Sequence, residues 1–133
     1  MTERHVGDYR GMAETRVHDQ WLPDEDGANR IANVLANAMD VDPPEIIFTG
    51  KTSRWMSGSA NCRRWYIRLH QNGQDVGALI HSLAHLVTWR RHREDRRHGD
   101  EFKRIEQELV ERYFQIINRE HLAVGTAAEE ATR

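Results

Sequence analysis

Residues 79 to 102 read Leu-Ile-His81-Ser82-Leu-Ala-His85-Leu-Val-Thr88-Trp89-Arg90-Arg-His92-Arg-Glu-Asp-Arg-Arg97-His98-Gly99-Asp100-Glu101-Phe102, and the rest of the chain is organised around them. His81 and His85 are four residues apart. On an α-helix that spacing stacks two side chains on one face about one turn apart, so both ring nitrogens can converge on one ion. Val76, Ile80, Leu83 and Val87 mark a buried stripe on the same helix, predicted from about residue 74 to about residue 91, next to a stripe of His81, His85 and Thr88. His98 follows beyond an arginine-rich segment and can close a three-histidine set from a second helix. Three protein ligands with a fourth position open is the arrangement of a catalytic rather than a structural zinc site.

Around this stretch the chain reads as α+β. Upstream, Ala28, Ile31, Ala32, Leu35, Ala38 and Met39 follow helical spacing, and the acids Asp24 to Asp26 favour the positive end of that helix's dipole. Pro43 and Pro44 end the helix, and Glu45-Ile-Ile-Phe-Thr49 is a short buried strand. Residues 50 to 62 are rich in Gly, Ser and Asn and predict turns around a short strand at Trp55. Residues 64 to 70 alternate, with Trp65, Ile67 and Leu69 on the core face and Tyr66, Arg68 and His70 on the other. Gly99, Asp100 and Glu101 open a last helix, buried along Phe102, Ile105, Leu109, Tyr113 and Ile116.

The expected architecture is a small, mainly antiparallel sheet packed against about three helices. Residues 1–27 read as an N-terminal extension, carrying a short helix along Ala13, Val17 and Trp21; residues 28–120 read as the domain and 121–133 as a flexible tail. At 133 residues and 38% hydrophobic content there is material for one modest core. A formal charge of -2 gives no global drive toward nucleic acid or anionic membrane. Cys62 is the single cysteine, which excludes an intrachain disulfide and suits a reducing compartment. With neither an apolar leader nor a membrane-length apolar run, the expected location is cytoplasmic, with no membrane partner.

An HxxxH pair alone arises often by chance in a chain with eight histidines. The whole string of His81, His85, Thr88-Trp89 and His98-Gly99-x-x-Phe102 resembles the SprT-like (Spartan-type) zinc metallopeptidase family, whose HExxH helix is followed by a third histidine in an HGxxF or HGxxW segment. The likeness covers roughly residues 28 to 117. It implies a zincin-like core, Zn2+ held by His81, His85 and His98, and Phe102 packed behind the third ligand. It also implies that strand 64–70 is an edge along which an extended or unfolded peptide lies.

Ser82 departs from that pattern. It stands where HExxH places the glutamate that takes a proton from metal-bound water, and a serine hydroxyl cannot do so at neutral pH. Loss of such a base commonly costs about 10²- to 10⁴-fold in rate. The motif, degenerate as HSLAH, therefore points to a pseudoenzyme whose peptidase activity is lost or reduced. Two alternatives stay open: a working hydrolase using another base, for which Glu101 is the nearest candidate, and a non-catalytic module retaining the fold to hold a peptide, a protein or DNA. For DNA the candidate contact is Arg90–Arg97, although the flanking acids favour a solvated linker.

Overall fold

A computed structural model of the chain describes Val17 and residues 20–52, 57–93 and 98–120, with side chains described as far as 116. The short strand expected at Trp55, Ala13 of the first expected helix, the arginine-rich residues 94–97 and the tail from 121 lie outside the described residues. The fold is α+β. Helix α1 spans Glu25–Ala38, strands β1, β2 and β3 span Glu45–Phe48, Gly58–Asn61 and Tyr66–Leu69, helix α2 spans Val76–His92, and helix α3 spans Asp100–Glu120. No helix among the described residues is long and apolar enough to cross a membrane.

The starts of α1 and α2 have a local cause. Asp24 is extended and caps α1, its carboxylate accepting from Gly27 N–H at 2.7 Å, and Glu25 and Asp26 add negative charge to the first turn. Asp75 caps α2 in the same way through Ala78 N–H, also at 2.7 Å. At the other end, Arg93 adopts the left-handed conformation, and its N–H closes α2 onto the carbonyl of Trp89.

Helix α2 is central. It packs against α1, α3, β2 and β3, and Leu79, Ile80, Leu83, Leu86 and Val87 are all fully buried. Burial on nearly every side replaces the single apolar stripe read from the sequence. At about 1.5–3 kcal/mol for each large aliphatic side chain removed from water, this helix is the main anchor of the core.

The sheet order is β1-β3-β2, with β1 parallel to β3 and β2 antiparallel to it. The expected mainly antiparallel sheet is therefore mixed. Strand β3 is central, so its backbone groups are taken on both sides, and the expected edge along 64–70 is corrected to a middle strand. Of the two outer strands, β1 is covered. Asn29 on α1 accepts from Ile46 N–H at 2.9 Å and donates to Ile46 C=O at 3.1 Å, and Glu25 accepts from Phe48 N–H at 2.7 Å. Side chains thus occupy the ladder groups that an incoming strand would need.

Trp65 also departs from its expected place in the alternation. It ends the turn between β2 and β3 with φ 66°, the left-handed position of a short hairpin loop. Its indole N–H reaches the carbonyl of Asp42 at 2.6 Å, and the Arg90 guanidinium lies 4.4 Å over the ring. Only Ile67 and Leu69 of the expected apolar face are fully buried. Turn formation wins because Asn61 Oδ1 accepts from both Arg63 and Arg64 N–H groups.

The N-terminal segment joins the domain earlier than residue 28. Val17 and Leu22 are buried in the core, Leu22 N–H bonds Gln74 C=O, and Val76 N–H bonds Gln20 C=O. Gln20 also accepts the hydroxyl of the buried Tyr113 at 2.5 Å.

Candidate metal centre

Helix α2 projects His81 and His85 from adjacent turns, with ring centroids 5.0 Å apart. His98 stands two residues before α3 and brings its ring to 4.8 Å from His81 and 5.3 Å from His85. One ligating nitrogen from each ring lies within 4.8 Å of the other two, close enough for all three to hold a metal ion. The Nε2 atoms of His81 and His98 face each other at 3.0 Å. Two nitrogens on one tetrahedral zinc, at bond lengths of about 2.0–2.1 Å, sit roughly 3.3 Å apart. The donor set and its spacing fit a divalent cation that accepts imidazole ligands.

Phe102 forms the floor. It is 2% exposed, and its ring centroid lies 5.0, 4.4 and 4.9 Å from those of His81, His85 and His98. An apolar floor restricts the rotamers of all three imidazoles and keeps water from one side of the site. The three histidines themselves are half-buried. Burial lowers the His81 pKa from its ordinary 6.5 to about 4. The ring is therefore neutral at physiological pH and has a lone pair to give.

The other residues singled out from the sequence fall elsewhere. Ser82 is on α2 and buried at 4% exposure. Glu101, the candidate substitute base, meets His92 Nε2 at 2.9 Å and pairs with the Arg104 guanidinium. His70 meets the Thr49 hydroxyl at 3.2 Å, and Tyr66 packs under Arg68 while its hydroxyl accepts from Asn61. Arg91 donates to the carbonyl of Met39 at 2.9 Å and Arg90 stacks on Trp65, so two of the arginines proposed for DNA are used inside the fold.

The sequence reading missed Glu106. This residue is 4% exposed and its carboxylate lies 2.9 Å from His81 Nδ1. A signal was present: on α3 it occupies a core position among Phe102, Ile105, Leu109, Val110 and Tyr113, where an unpaired charge is costly. What the sequence does not contain is the partner, which comes from another helix.

Comparison with protein-family models, curated proteins and solved structures returns no match.

Proposed function

We propose that this chain is a SprT-like zinc metallopeptidase-fold protein that binds Zn2+ through His81, His85 and His98 and has lost most or all peptidase activity. The convergence of three imidazole nitrogens, two from α2 and one from the segment just before α3, carries the metal half of this reading. When bound, zinc supplies a Lewis acid and brings the pKa of its water to roughly 7.

The loss of activity follows from the carboxylates. Serine at position 82 leaves the helix without its base. Glu101 is engaged by His92 and Arg104, which weighs against the hydrolase that uses it. Glu106 meets His81 on the ring nitrogen opposite the one that faces His98, so it sits across the imidazole from the place where water would be activated.

A binding role for the same fold is favoured by one observation. With β1 covered and β3 central, β2 is the sheet edge left for an extended peptide among the described residues, and it packs directly on α2. A shallow cavity of about 320 Å³ lined by Ala60, Asn61, Cys62, Arg63 and Trp89 lies at the end of that strand, and Cys62 Sγ reaches the carbonyl of His85 at 4.0 Å. Peptide capture, first expected on 64–70, is therefore reassigned to residues 58–61.

The test is metal analysis of protein purified without chelator, together with cleavage assays on an unfolded substrate. Zinc near one equivalent that is lost in H98A supports the reading. Absence of zinc with unchanged stability in H98A overturns it.

A further inference from the structure

We propose that Glu106 is the positioning residue of the metal centre: it accepts the Nδ1–H of His81, fixes that ring as the tautomer that ligates through Nε2, and turns it toward His98. The inference rests on reading the three histidines as metal ligands and adds a role that the ligand motif does not contain.

Four observations carry it. The carboxylate is 2.9 Å from Nδ1, while Nε2 of the same ring is 3.0 Å from His98 Nε2. The two nitrogens of His81 thus point to different tasks, one to an acceptor and one to the ligand cluster. A neutral imidazole carries a single N–H, so whichever nitrogen donates to the carboxylate leaves the other with the lone pair. Glu106 also lies on the same face of α3 as Phe102, one turn further on, and His98 sits two residues before that helix begins. The residue just before α3 and one face of that helix therefore present a ligand, the apolar floor and the orienting carboxylate to His81. Finally, Glu106 is buried among apolar residues at 4% exposure, a position where a carboxylate persists only with a hydrogen-bond partner.

A metal-ligating histidine that donates its other N–H to a carboxylate is held in orientation and made more basic, and loss of the carboxylate commonly costs about 10- to 100-fold in metal affinity. The competing reading is a plain buried pair that fastens α3 to α2. That reading predicts a change in stability but none in the tautomer of a folded variant.

The experiment uses the full chain, with Co2+ as the probe ion and imidazole ¹⁵N shifts read on the metal-free protein. The natural chain is expected to show His81 protonated at Nδ1. In E106L a mixed His81 tautomer and about 10- to 100-fold weaker Co2+ binding are expected, whereas E106Q keeps an acceptor in place, retains the tautomer and binds Co2+ better than E106L. If E106L does not fold, E106Q and the natural chain still decide the matter: His81 protonated at Nε2 in the natural chain overturns the proposal. Co2+ binding that H98A abolishes and a folded E106L leaves unchanged overturns this proposal alone. No Co2+ binding by the natural chain overturns the metal reading and this proposal with it.

Discussion

His81 and Glu106 meet across the interface of α2 and α3, imidazole Nδ1 to carboxylate Oε2 at 2.9 Å, twenty-five residues apart in the chain. The same imidazole faces His98 through its other nitrogen. The contact that joins the helices therefore also orients the candidate ligand, and several outcomes follow from that coupling.

Metal should stabilise the fold through His98. A ligand that binds only the native state adds RT ln(1 + [L]/Kd), about 2.7 kcal/mol at a hundredfold excess over Kd. Thermal unfolding of the natural chain with excess Zn2+ is expected several degrees above the chelated protein. H98A should unfold at one temperature under both conditions. Equal zinc responses in the two proteins would sink the site.

Restoring the base is a separate matter from restoring the metal. The variant S82E should raise cleavage of an unfolded protein by about 10²-fold or more over the natural chain, provided that metal content is equal in both. Cleavage by the natural chain at the same rate as S82E would contradict the assignment of lost activity. Ser82 is buried, so the folded fraction of the variant has to be measured alongside.

The His81 pKa makes a stability prediction whose sign can be worked out. In the metal-free fold, burial holds it near 4, below its ordinary 6.5, so between those values the unfolded chain binds more protons than the native one. Stability from this residue is present above about pH 6.5 and is lost as pH falls toward 4. Urea unfolding of metal-free protein across that range should show a steeper loss for the natural chain than for H81Q. Parallel curves would show that His81 does not contribute.

Asn29 should matter more than its place on a helix surface suggests. Both its amide groups bond the backbone of Ile46, so N29A leaves a strand N–H and C=O without their partners. A loss of about 1–3 kcal/mol is expected in chemical denaturation. The opened β1 edge should also increase self-association, measurable by sedimentation. A change within about 0.5 kcal/mol and no new association would show that water replaces the clamp.

How much of this was legible depended on the range of the interaction. The spacing of His81 and His85, the serine between them, the proline stop after α1 and the apolar pattern of Phe102, Ile105, Leu109 and Tyr113 are properties of local repeats, and they placed the three helices, while the three histidines they singled out lie close enough to hold an ion. Helix period alone brings residues four apart onto one face. The same local logic misplaced Trp65, because two backbone N–H groups bonded to Asn61 draw the chain into a turn before the strand begins.

Tertiary structure decided what period cannot express. That β3 lies between a parallel and an antiparallel neighbour, that Asn29 and Glu25 cover β1, that Glu101 turns to His92 and Arg104, and that Glu106 turns to His81 each depend on which distant segments meet. Such meetings are set by burying α2 on nearly all sides, a global packing solution in which polar side chains take the partners that the packed core leaves within reach. The sequence by itself determined that two imidazoles share a face of α2 and that a third precedes α3; packing brought their nitrogens together and set a carboxylate behind one of them.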